Sequence, residues 1–192
     1  MRDIGLVARL QIQRGSLKTG EKPRRVYDPA PILAVGRLVI TPEGVLGESP
    51  DRSWIVDVHH RAHPHTKNPD GEHGISVGFT SHYAAMRDRF GDRIAIGCAG
   101  ENVIVAADRR FTLEELHAGI AVCSTDGTEL VRLAVRDVAR PCRPFTGWAT
   151  NEMVAPDVLK SHLQFLDGGT RGFYCLGVGS GIVSLGDRVV LL

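Results

Sequence analysis

The sequence lacks any apolar run approaching the roughly 20 residues that span a bilayer. Its opening segment, MRDIGLVARLQIQ, has neither a long apolar core nor a small-residue cleavage site, so no signal peptide is expected. No charge of one sign dominates. Against 23 Lys and Arg stand 22 Asp and Glu, a net charge of +1, which argues against general nucleic-acid binding. The four cysteines (Cys98, Cys123, Cys142 and Cys175) form no C-x-x-C pair, which excludes a simple zinc ribbon. Absent too are a G-x-S-x-G elbow, a dinucleotide-binding glycine fingerprint and an H-E-x-x-H helix, and with them the chemistries those motifs serve. At 192 residues, 43% hydrophobic and 23% charged, the composition fits one cytosolic domain over 1–192, an enzyme or a binding protein with no membrane partner.

Glycine and proline are in excess, 22 and 10 residues, about 17% of the chain against roughly 12% on average. They are scattered, which implies many short elements joined by tight turns. Residues 4–12, 31–40, 53–58 and 74–79 read as strands, brief, apolar or alternating, and bounded by Gly or Pro. Further strands are expected at 102–105, 120–123, 130–138, 172–178 and 188–192. Asp126-Gly127 predicts a hairpin with a tight primed turn. Three helices interrupt the pattern: 81–90 with Ser81 as N-cap and Gly91 at the exit, a single turn opened by the capping box Thr112–Glu115, and 156–166 behind Pro156. Short helices among some nine strands predict a mainly β fold, and because open sheet edges invite aggregation, closure into a barrel. The polar stretch 15–28, with Lys18, Lys22, Arg24 and Arg25, reads as a solvated loop, with anion binding as the alternative.

Arg140-Pro141-Cys142-Arg143-Pro144 is the most unusual local sequence. Positive charge on both sides favours a thiolate, the nucleophilic and metal-ligating form, and the prolines restrict the backbone that aims it. A buried structural cysteine is the competing reading. The stretch His59-His60-Arg61-Ala62-His63-Pro64-His65-Thr66-Lys67, with His73 beyond, offers imidazoles for a transition metal. Pro64 blocks the helix that would align His59 with His63, so a cationic loop lining a cleft for an anion is the stronger expectation. Gly97-Cys98-Ala99-Gly100-Glu101-Asn102 is a small-residue turn entering a strand, where backbone can approach a ligand and Asn102 can both donate and accept. Asp167-Gly168-Gly169-Thr170-Arg171-Gly172 could cradle phosphate or simply end a helix.

Gly100-Glu101-Asn102, then Arg140-Pro141-Cys142, then Gly177 through Gly186-Asp187, together with Ser81-His82-Tyr83 and the Gly44–Gly47 turn, resemble the MOSC domain, the C-terminal domain of molybdenum cofactor sulfurases. The likeness runs from about residue 4 to the C-terminus. It implies a MOSC-type β-barrel with a few short helices, a bound molybdenum cofactor, and Cys142 as catalytic residue and molybdenum ligand. The motif match adds Arg140 and Asn102 as cofactor-binding residues; charge alone adds Lys67, His60, His73 and Arg171. The activity so implied is reduction of an N-oxygenated small molecule with electrons from a partner protein. The alternatives are a sulfur carrier holding a persulfide on Cys142, served by a cysteine desulfurase, and a barrel that binds an anionic ligand without turnover. Larger relatives carry a pyridoxal-phosphate desulfurase domain that this chain has no room for, so no pyridoxal phosphate is expected on it.

Overall fold

The alternation along residues 4–12 becomes one long strand, β1 (Arg2–Gln13), in the computed structural model of the chain, which describes residues 2–151 and 154–192. The remaining strands are β2 (Lys18–Thr19), β3 (Val26–Tyr27), β4 (Ile32–Val35), β5 (Arg37–Thr41), β6 (Gly44–Glu48), β7 (Trp54–Val56), β8 (Ile75–Phe79), β9 (Val103–Val105), β10 (Ile120–Cys123), β11 (Glu129–Val138), β12 (Phe173–Val178), β13 (Gly181–Ser184) and β14 (Arg188–Leu191). Four helices accompany them: α1 (Thr80–Phe90), α2 (Leu113–Leu116), α3 (Arg143–Thr150) and α4 (Pro156–Leu166).

Seven strands close in the order β1-β14-β10-β11-β12-β8-β9 and back to β1, which makes the expected barrel. β1 manages this because it changes partner along its length, facing β14 with Arg2–Leu6, β9 with Val7–Leu10 and β4 with Leu10–Gln13. Register shifts at Asp3/Gly5 and Val7/Arg9 bend it around the curve, the usual work of a bulge. The β8–β9 pair is parallel, the other barrel pairs antiparallel, and α1 lies in the connection that a parallel pair requires. All five residues of β8 are buried, as a strand covered on both faces should be. A second, antiparallel sheet, β13-β5-β6-β7, packs on the barrel wall.

Two large apolar clusters result, beside a small third one of Ala121, Cys123 and Val190. The larger joins residues of the barrel strands, Leu10, Ile12, Phe79, Leu133 and Phe173 among them, to Leu38 and Ile40 of the second sheet. A separate cluster outside the barrel gathers Tyr27, Tyr83, Met86, Phe145 and Leu166 beneath α1, α3, α4 and the β2–β3 hairpin. The cavity described below lies at the seam between them.

Several local expectations change. The single strand read over 31–40 is two, which part at Gly36 and enter different sheets. Residues 44–47, read as a turn, lie within β6, and β13 carries no expectation at all. The stretch 15–28 is a small hairpin, β2–β3, folded back on the barrel. Ser81 is not the N-cap of α1: the helix starts one residue earlier behind Phe79, and the Ser81 hydroxyl donates to the Arg109 carbonyl at 2.7 Å. A helix follows Cys142 where none was read, since Pro144 sits in its first turn, a position where a missing N–H costs nothing. At 124–128 the hairpin forms, but with three loop residues: Ser124 N–H donates to the Thr128 carbonyl, and Gly127 alone takes positive φ (+90°). The Thr112–Glu115 capping box and the exits at Gly91 and Gly168 are as read.

Candidate functional site

The cavity has a volume of about 340 Å³ and is walled by five short pieces of chain. These are the end of β1 with the β2–β3 hairpin, the loop from Val58 to His73, the turn Ala99–Glu101, the segment after β11, and Arg171 with Tyr174 beside β12. Lys18, Arg25, Lys67, Arg140 and Arg171 face it, together with His59 and His73. Among the described residues the one acid in the lining is Glu101. Its carboxyl accepts a hydrogen bond from the Tyr83 hydroxyl, and burial pushes it above the usual carboxylate range. The cavity is therefore strongly cationic, the electrostatic complement of an anion.

Arg171 is its centre. Only 8% exposed, it leaves the turn after α4 and lies flat over the Phe145 ring at 4.1 Å. One terminal nitrogen donates to the Ala99 carbonyl at 3.0 Å and the other to the Cys142 sulfur at 3.7 Å. Its Nε has no partner and is fully buried. Burial works against the charge, but Tyr27, Cys142, Glu101 and Tyr174 around it hold the guanidinium protonated. A buried N–H left unmatched costs about 1–3 kcal/mol, so the position is one that an incoming acceptor relieves.

Cys142 is the half-buried member of four free cysteines; the other three are buried. Burial pushes the Cys98 thiol up to about 12, with Glu101 adding to it, and burial alone does the same for Cys175. Neither suits a nucleophile or ligand. Cys142 caps α3 in extended conformation (φ −139°, ψ 145°), and its carbonyl receives the Thr146 N–H and hydroxyl. The arginines next to it in sequence are not the ones on its sulfur. Arg140 turns to Asp137 at 3.4 Å on the cavity rim, and Arg143 opens the exposed side of α3. The guanidinium that reaches the sulfur is that of Arg171, 29 residues further on.

Of the remaining expected site residues, Lys67 and His73 line the cavity, the latter stacked on Tyr174 at 4.9 Å. Asn102 and His60 do not, and neither does Cys142: it packs against the second apolar cluster, and Arg171 is the lining residue that contacts its sulfur. Asn102 is buried with every hydrogen-bonding position filled: Oδ1 accepts from the Ser76 N–H and hydroxyl, and Nδ2 donates to the Gln11 carbonyl and to Asp57. His60 packs against the Cα of Gly44, where a Cβ would come within 2.7 Å of the His60 Cα, and its Nδ1 accepts the Ala62 N–H. Burial lowers its pKa. Residues that sequence reading passed over include Tyr27, Tyr174 and Gln13, each facing the cavity. Among the described residues no three His, Cys, Asp or Glu side chains gather as a metal site, so a metal here would take Cys142 as its protein ligand and the rest from a cofactor. The residues present fit such a group: one soft sulfur, an orphaned guanidinium N–H and a ring of cations.

A family model described as "MOSC domain" matches residues 60–190. Among curated proteins none matches the chain significantly. Among solved structures, the YuaD protein of Bacillus subtilis is similar at 14% identity and TM-score 0.57, covering 98% of this chain and 94% of that one. YiiM of Geobacillus stearothermophilus is similar at 18% identity and TM-score 0.55, covering 97% and 74%. YiiM of Escherichia coli follows at 15% and 0.52, covering 83% and 64%. At these identities the likeness concerns the fold.

Proposed function

The chain belongs to the MOSC domain family, a domain linked to molybdenum-cofactor proteins, and from that premise we propose that its cavity holds a molybdenum–pterin cofactor beside Cys142 and reduces N-oxygenated small molecules. The observation that carries this reading is Arg171, whose guanidinium reaches the Cys142 sulfur while its buried Nε waits for an acceptor. Cys142 Sγ would be the soft ligand. Arg171, Lys18, Arg25 and Lys67 would neutralise the cofactor's phosphate, with Arg140 and His73 at the edge. When bound, the cofactor supplies two-electron removal of oxygen from the substrate, with electrons from an external donor. The chain's own part is to orient both molecules, to balance charge, and to keep water out with the Tyr27 and Tyr174 rings that wall the cavity.

The same contact favours a second reading. A half-buried sulfur that accepts a guanidinium N–H could also carry a terminal persulfide sulfur, received from a desulfurase and passed to a partner. Elemental and mass analysis decides between them. Expressed in a host that makes the cofactor, the protein should contain near-stoichiometric molybdenum that Cys142→Ser abolishes. No molybdenum, with one reductant-removable sulfur on Cys142, would overturn the reductase reading in favour of the carrier. Neither, with Cys142 inert, leaves an anion-binding barrel.

A further inference from the structure

We infer that His59 is the proton-carrying group of the cavity, set in place by Asp57 and, behind it, Asn102; this deepens the reductase reading and rests on it. Asp57 is fully buried at the exit of β7. Its Oδ1 accepts the His59 backbone N–H at 2.8 Å and faces the His59 Nδ1 at 3.0 Å. Its Oδ2 accepts the Gln13 N–H at 2.6 Å and the Asn102 Nδ2 at 3.0 Å. An ionised carboxylate only accepts, so the proton of the neutral imidazole belongs on Nδ1, and Nε2 on the far side of the ring is left with its lone pair. Among the described residues no hydrogen bond engages that nitrogen, and His59 lines the cavity. An imidazole with a buried acceptor behind it and an open nitrogen in front is the arrangement of an acid–base group.

The neighbouring imidazoles differ. His60 lies outside the cavity with Nδ1 occupied by the Ala62 N–H, and His73 stacks on Tyr174 with no carboxylate on either ring nitrogen among the described residues. Asn102 has no valence left for a ligand, so it is a positioning residue that acts through Asp57. The chemistry asks for such a group. Reduction of an N-hydroxylated compound breaks the N–O bond, consumes two electrons and two protons, and releases water. The electrons would come from an external reductant, with the two-electron chemistry that the cofactor would supply when bound. His59 Nε2 first takes a proton from solvent and then, as the imidazolium, delivers it to the departing oxygen, solvent supplies the second proton, and Nδ1–H stays on Asp57 throughout.

Nitrogen-15 spectra of the full chain, labelled at histidine and free of cofactor, test the arrangement without reference to activity. We expect His59 as the Nδ1–H tautomer, with that bias weakened in Asp57→Asn; an Nε2–H tautomer in the native chain overturns the inference. In molybdenum-loaded protein, His59→Ala should lower kcat by about 10²-fold, leave molybdenum content and KM near native, and recover part of its rate with added imidazole. An unchanged kcat, or a loss that follows molybdenum content, overturns the role. If the native chain takes up no molybdenum, the reductase reading falls by itself, and the proton-carrying assignment falls with it whatever tautomer is found.

Discussion

On one side of the cavity, Asp57, Asn102 and Ser76 match each other's donors and acceptors and those of the β1 backbone, with nothing over. On the other, Arg171 keeps a buried N–H without a partner and Cys142 takes a single long contact. Both groups are polar and stand mostly behind the cavity surface, with Ser76 and Arg171 as the members that line it, yet the first is a closed network that holds a shape and the second is an open one that needs a visitor. Low dielectric strengthens a satisfied network and penalises an unsatisfied one, so the two sides should answer mutation in opposite ways. Removing a member of the first should unfold the protein, while removing a member of the second should spare the fold and cost the ligand.

The largest expected effect comes from breaking the closed wall. Asp57→Ala strands donors from Gln13, His59 and Asn102 together and should cost about 3–5 kcal/mol, read by urea unfolding; a loss under about 1 kcal/mol would erase the distinction between the walls. Next comes acid. His82 is a buried ring outside the cavity, with Phe111 N–H on its Nε2, and burial, helped by Arg110 and opposed by the Gly169 backbone, lowers its pKa to about 4 from 6.5. A depressed folded-state pKa means stability that is whole above about 6.5 and lost as pH falls toward 4. The gap is worth about 3 kcal/mol at roughly 1.4 kcal/mol per pH unit. His82→Gln should flatten that part of the stability–pH curve. Smaller is the contrast between two cysteines. Cys175→Ser places a hydroxyl in the barrel core and should cost about 1–3 kcal/mol, whereas Cys142→Ser should leave the unfolding midpoint within about 0.5 kcal/mol of native. Arg171→Met should also stay close to native in stability, within about 1 kcal/mol, since an apolar side chain of similar volume can replace a buried charge. Its pyrophosphate affinity by calorimetry should nonetheless fall at least about tenfold.

How far the sequence discloses these walls depends on whether a feature is local. The capping box at Thr112 and Pro156 at the start of α4 are settled within a few residues and read correctly, and Asp126-Gly127 marks the hairpin though not its turn type. So does the seven-stranded closure in outline, because strand after short strand leaves little else to build. Strand β6 was hidden by its two glycines, and α3 by its proline and glycine; packing of Phe145 against Tyr27 and Trp148 holds that helix against its poor propensity. Within the cavity, charge pointed to Arg171, Lys67 and His73, which do line it. Motif likeness pointed to Asn102, which supports the site from behind. Composition said nothing of Tyr27, Tyr174 or the Asp57–His59 pair. Their roles come from a register and a loop path that no short window contains.

The pairing of Arg2–Leu6 with Arg188–Leu191 has a consequence for how the protein is born. During synthesis the barrel cannot shut until residue 191 has emerged from the ribosome, so β1 waits with a bare edge through most of translation and β10 through the last part of it. A nascent chain of this kind is a natural client for a chaperone that shields strands. Tags or truncations that delay β14 should show first as aggregation in the cell, before any loss in the purified protein.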